Sequence, residues 1–127
     1  MKRVLVDTSV FVDFLRGKTG AASRLPTLLT DRRVLLSPYV RLELLMGVKK
    51  SERKELSSLL SALPSAEPGP TFFADAGTLL GLVKDKGINC GLVDYLIALQ
   101  SLELEVPLFT IDKMLSRTVQ AIGGTTF

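Results

Sequence analysis

The chain has 127 residues and is 46% hydrophobic with few aromatics, enough for one domain with a core built mainly from Leu, Val, Ile and Ala. It has no histidine and one cysteine, Cys90, which excludes Ser-His-Asp and Cys-His nucleophile pairs, His-based ribonuclease chemistry, internal disulfides and nearly every zinc site. The net charge is only +3, but if four acids pool in one pocket, the remaining nine face sixteen bases, a surface suited to a phosphate backbone.

Arg3–Val6 reads as a short buried strand. Thr8 and Ser9 open a helix through Phe14 and Leu15 that Gly17 can stop. A second helix is expected over Ala21–Thr30, and "RRVLLS" (Arg32–Ser37) is again of strand length. Ser37 and Pro38 give the cap and first-turn signal for a helix reaching Gly47. Ser51 opens another, with Leu56, Leu59, Leu60 and Leu63 at helical spacing before Pro64. "PSAEPGP" reads as a loop. Thr71–Lys86 follows as an amphipathic helix using Phe72, Phe73, Ala76, Leu79, Leu80 and Val83, stopped by Gly87. Gly91–Leu102 is a further helix, Val106–Thr110 a third strand, a short helix follows Asp112, and Thr125–Phe127 suits an edge strand. Continuously apolar strands alternating with helices predict an α/β domain over residues 1–127, its mainly parallel sheet covered on both faces. No apolar run reaches the roughly 18 residues of a membrane span, Asp7 comes too early for a secretory signal, and the lone cysteine fits a reducing cytoplasm.

Such sheets gather their sites beyond the C-terminal ends of the strands. Asp7 ends the first strand in "VLVD", and Asp112 follows the third in "LFTID". Two more acids lie on greasy helices: Glu43 in "PYVRLELLMG" and Asp94 in "LVDYLIAL". Each has an ordinary explanation: Asp7 and Asp112 as turn residues, Glu43 at a core boundary, Asp94 paired with an arginine or capping its helix. Asp13 suits a partnership with a nearby Lys or Arg. If the four converge, their repulsion amounts to several kcal/mol per close pair, and a cation makes the arrangement sensible. With oxygen donors and no histidine, that ion is Mg²⁺ or Mn²⁺, and the chemistry it suits is phosphodiester hydrolysis. Thr8, Ser9 and Thr110 supply hydroxyls to orient carboxylates.

Taken together, "LVDTSVFVDFLRG", "RLELLMG", "DYLIAL" and "LFTID" make the chain resemble, over nearly its whole length, PIN-domain nucleases of the VapC type, the toxins of VapBC toxin–antitoxin pairs. The resemblance implies a three-layer α/β/α fold and a Mg²⁺- or Mn²⁺-dependent endoribonuclease acting on structured RNA, tRNA or ribosomal RNA. It maps the acidic quartet to Asp7, Glu43, Asp94 and Asp112, with Asp7, Asp94 and Asp112 as metal ligands and Thr8, Ser9 and Thr110 in support. It also implies a homodimer and a VapB-type antitoxin whose C-terminal segment fills the groove. Two residues past Asp112, where many relatives carry another acid, this chain has Met114, and Tyr95 is bulkier than the small residue often found beside the third acid.

The rivals are a stand-alone RNA-maturing PIN nuclease, a non-catalytic RNA- or protein-binding module, and a phosphoacceptor domain. The last wants paired acids after the first strand, where this chain has Asp7 followed by Thr8.

Overall fold

Val4, Leu5 and Val6 are all fully buried although neighbouring strand side chains point to opposite faces, so this strand is covered on both sides. It is β1 (Val4–Val6) in a computed structural model describing residues 2–127. Helix α1 (Thr8–Leu15) follows, then a 3₁₀ turn (Gly20–Arg24) and α2 (Leu25–Thr30). Next come β2 (Val34–Leu35), α3 (Pro38–Gly47), α4 (Lys50–Ser61) and α5 (Phe72–Asp85). The order closes with α6 (Leu92–Leu104), β3 (Leu108–Phe109) and α7 (Lys113–Ala121). Layers of helix, sheet and helix make the three-layer α/β/α architecture.

The strands lie in the order β2-β1-β3, all parallel, with Val4 opposite Val34, Leu5 opposite Leu35 and Leu108, and Val6 opposite Phe109. A single rung extends each edge: Leu36 pairs with Ser65, and Leu108 with Thr126. The first lies inside the Pro/Gly-rich stretch expected to be loop. The second stands in place of the edge strand expected at Thr125–Phe127. Beneath that edge, the Arg24 guanidinium sits 4.0 Å from the centre of the Phe127 ring.

The helix expected over Ala21–Thr30 is divided. Pro26, in the first turn of α2, has no N–H to carry the α-helical ladder back into the preceding residues, which form the 3₁₀ turn. On α4, Leu56 and Leu60 enter the core while Leu59 is 61% exposed; on α5, Phe72 is buried and Phe73 is 60% exposed. Both corrections follow from narrow apolar stripes, which leave a residue one step round the helix in solvent.

Two hydrophobic clusters meet at α6. Ile97 and Ala98 join the sheet-centred core, whereas Tyr95 and Leu99 pack with Phe72, Ala76, Leu80 and Val83 of α5. This explains why α6 is apolar almost all round. In its second half, Ser37 Oγ donates to Gln100 Oε1 and Gln100 Nε2 donates to the Ala66 carbonyl, joining α3, α6 and the Ser65 rung through buried polar atoms. No helix among the described residues is long and apolar enough to cross a membrane.

Candidate active site

Because β1 is the central strand, the chain departs from it to β2 on one side and β3 on the other, leaving a crevice at the ends of β1 and β3. Asp7 stands at the mouth of that crevice, only 4% exposed. It caps α1, its Oδ2 accepting the Ser9 N–H at 3.3 Å, and the same oxygen accepts the hydroxyls of Ser9 at 2.6 Å and Thr110 at 2.9 Å. From β3, Thr110 Oγ1 also accepts the Asp112 N–H at 3.0 Å. Asp112 caps α7, its Oδ1 accepting the N–H groups of Met114 at 2.8 Å and Leu115 at 3.1 Å. On the other side, Thr8 Oγ1 donates to Glu43 Oε1 at 2.7 Å, tying α1 to α3.

The structural roles open to Asp7 and Asp112 are therefore real, and each occupies one oxygen. Among the described residues, no hydrogen bond reaches the second oxygen of Asp7, Glu43 or Asp112. Asp94, half-buried in the first turn of α6, has neither the arginine partner nor the capping role open to it in the sequence. The ion pair found among the described residues lies elsewhere, between Lys18 and Asp13 at 3.7 Å, the partnership expected for Asp13. Burial first, and then the charges of Asp7, Asp112 and Glu43, raise the Asp94 pKa from 3.8 to about 6. The three carboxylates thus share an electrostatic site with the fourth, and among the described residues no lysine or arginine is paired with any of them.

Among the described residues, no three Asp, Glu or Cys side chains are gathered into an arrangement that holds a metal by itself. The donors are nevertheless all carboxylate, each with an oxygen to spare. That set fits a hard divalent cation that keeps several of its waters and takes one or two carboxylates directly.

Sequence reasoning missed Cys90 as a neighbour of this site. Its thiol pKa is raised mainly by burial, with Asp94 and Asp112 adding to the effect against a hydrogen bond with Thr118. Residue spacing carries no signal for this, because the loop before α6 returns to the α7 side only in three dimensions. The acids adjoin two cavities. One of about 610 Å³ has Glu43 in its wall with Val12, Leu15, Arg16, Val48 and Lys49; one of about 320 Å³ is lined from Thr110 and Asp112 onward along α7. A third, of about 790 Å³, runs between α1, α2 and α4 and shares Leu15, Leu56 and Leu59 with the first.

The model of the PIN domain family matches residues 4–120. Ribonuclease VapC19 of Mycobacterium tuberculosis is 33% identical over 107 residues, 84% of this chain and 86% of that protein. Ribonuclease VapC10 of the same organism is 30% identical over 95 residues, 75% and 71% of the two chains. Among solved structures, VapBC2 from Rickettsia felis, bound to a DNA fragment from its promoter, aligns with a TM-score of 0.74 at 22% identity, covering 97% of this chain and 95% of that one.

Proposed function

The chain belongs to the PIN-domain family, and from that premise we propose that it is a VapC-type toxin, an endoribonuclease that hydrolyses structured RNA, tRNA or ribosomal RNA, with the help of Mg²⁺ or Mn²⁺. One observation carries the proposal: four carboxylates from the ends of β1 and β3 and from α3 and α6 share an electrostatic site, with no cationic side chain among the described residues paired to any of them.

Asp7, Asp94 and Asp112 would hold the ion, which when bound would supply charge neutralisation and lower the pKa of the water that attacks phosphorus, easing loss of its proton. The chain's own residues supply the positioning. Ser9 and Thr110 clamp one oxygen of Asp7 and so aim the other outward. Asp112 is fixed by the first N–H groups of α7, and Glu43 by Thr8. Asp94 receives no hydrogen bond from the described residues and so is free to turn toward the ion, while Glu43, outside the three that would hold it and with one oxygen unbonded, is the member left to take a proton from the attacking water.

The partner belongs to the same reading. The cavity between α1, α2 and α4 joins through Leu15, Leu56 and Leu59 to the one walled by Glu43, giving a channel that is apolar along α1, α2 and α4 and charged where it reaches Glu43. A VapB-type antitoxin segment lies in this channel and points an arginine at the carboxylates, and a second copy of the chain completes a homodimer. The Rickettsia felis VapBC2 structure supports a partner of this kind.

Asp7→Asn tests the chemistry, because it removes one charge and keeps the shape. Purified variant is expected to keep its fold by circular dichroism and lose on the order of 10²–10⁴ in metal-dependent RNA cleavage. Undiminished cleavage by folded variant refutes the assignment.

A further inference from the structure

We propose that Lys113, Ser116 and Arg117 of α7 form a seat for an RNA phosphate beside the bond that is cut. The inference rests on the ribonuclease reading above and deepens it by naming a substrate-binding determinant.

These three residues stand at i, i+3 and i+4, so they share one face of α7. With Thr110, Ile111 and Asp112 they line a cavity of about 320 Å³, so the acidic group borders it through Asp112. Its wall carries two cations against one carboxylate, and Asp112 already directs one oxygen into the helix N-terminus. Both cations are exposed and make no ion pair or hydrogen bond with the described residues. The half-buried Ser116 hydroxyl makes none either, so it is free to donate.

Other arginines contrast with Arg117. Arg41 donates to Ser57 and Ser61, Arg53 to the carbonyls of Leu45 and Val48, Arg33 to the carbonyl of Lys2, and Arg24 lies on Phe127. Those four are tied into the fold, whereas Arg117 offers its fork of donors to the cavity. The cavity on the other side of the acids sets Arg16 and Lys49 against Glu43, Glu52 and Glu55, a poor match for a polyanion. A phosphate is therefore drawn to the α7 side, where a point charge, a planar fork and a neutral hydroxyl converge. Seated there, it fixes the register of the strand across Asp112 and Asp7.

The test compares Lys113→Gln/Arg117→Gln with Lys50→Gln/Lys54→Gln, a matched i, i+4 pair of exposed cations on α4. Binding of a labelled RNA stem-loop is measured by fluorescence anisotropy across salt concentrations, in chelator so that the probe stays intact, and cleavage is measured separately with Mn²⁺. The α7 pair is expected to weaken binding on the order of tenfold and to make the log–log salt dependence shallower by roughly one to two. Its loss of cleavage falls on KM, with kcat little changed. The α4 pair is expected to do neither. Equal losses from both pairs reduce the effect to net charge and overturn the proposal. Unchanged RNA binding by the α7 variant, with wild-type protein cutting normally, overturns the phosphate seat and leaves the ribonuclease reading intact. Wild-type protein that neither binds nor cuts RNA overturns both.

Discussion

Asp94 is the member of the acidic group whose charge is least provided for. Asp7, Glu43 and Asp112 each receive at least one hydrogen bond, whereas Asp94 receives none from the described residues. Its pKa of about 6 records burial and three neighbouring carboxylates. Unfolded, the same group ionises near 4. The metal-free folded protein therefore holds the Asp94 proton more tightly than the unfolded chain does. This contribution to stability is complete below about pH 4, is lost as pH rises through about 6, and does not return above it. Asp94→Asn removes the charge that has to form. In chelator at pH 7–8 the variant is expected to exceed wild type by about 1 kcal/mol, after discounting the shift for solvent screening, and to lose that advantage near pH 4. Millimolar Mg²⁺ or Mn²⁺ should then raise the wild-type Tm more than the variant's, by binding the native state. Thermal melts across pH, with and without metal, check both halves; a variant advantage that does not grow with pH refutes the repulsion. At this scale the acids were legible because carboxylates interrupting "VLVD", "LVDYLIAL" and "LFTID" are costly unless something uses them. Which oxygen of each remains free was not legible, since that depends on Ser9, Thr110 and Thr8 arriving from other elements.

The elements were legible where their signals are local. Helix starts at Asp7, Ser37 and Asp112 follow from short polar caps, and the first helix and α5 end beside Gly17 and Gly87, both at positive φ. The strands came out shorter than their apolar runs, because a ladder lasts only where a neighbour offers groups to pair. The rungs at Ser65 and Thr126 carry no local signal, being set by how their segments dock on the sheet. The end of α6 lies beyond the expected Leu102 for another reason. It runs to Leu104, and Glu105 turns the chain at φ 54°, a left-handed conformation for which the sequence offers no glycine. The reversal is held by Val106 N–H donating to the Ser101 carbonyl at 3.2 Å and by Ser101 Oγ donating to the Val106 carbonyl at 2.7 Å, which delivers the chain into β3 and so to Thr110. A side chain in that region costs roughly 1–2 kcal/mol, part of which glycine gives back in chain entropy. Glu105→Gly is accordingly expected to stabilise the fold by about 0.5–1 kcal/mol, seen as a raised midpoint in urea with an unchanged m-value. A lowered midpoint would show that the Glu105 side chain makes a contribution larger than its backbone strain.

At the scale of the whole molecule, mean hydropathy is +0.32, and the apolar excess is exposed in definite places. Leu15 is 54% and Leu59 61% exposed, and both border the junction of the two cavities that lead from the α1, α2 and α4 groove to Glu43. Phe73 and Leu92 lie apart from them, on a cavity along α5 and α6 with Gly77 and Gly81. Two covered surfaces are therefore expected, the channel by the antitoxin and the α5–α6 face by the second protomer. The channel is the better test, because its apolar length along α1, α2 and α4 and its charged end, where Glu43, Glu52 and Glu55 outnumber Arg16 and Lys49, ask for one chemistry: an amphipathic segment carrying a cation. Leu59→Lys alters the channel at little cost to the fold, since the side chain is already in solvent and Glu55 lies one turn earlier on α4. The variant is expected to capture its small partner from the native host at least about tenfold less tightly, while the freed chain cuts RNA as wild type does. Sedimentation of the freed variant should still give a dimer, because residue 59 lies away from the α5–α6 face. Equal capture by variant and wild type would remove the channel as the partner's seat, and a strictly monomeric chain would remove the second covered surface.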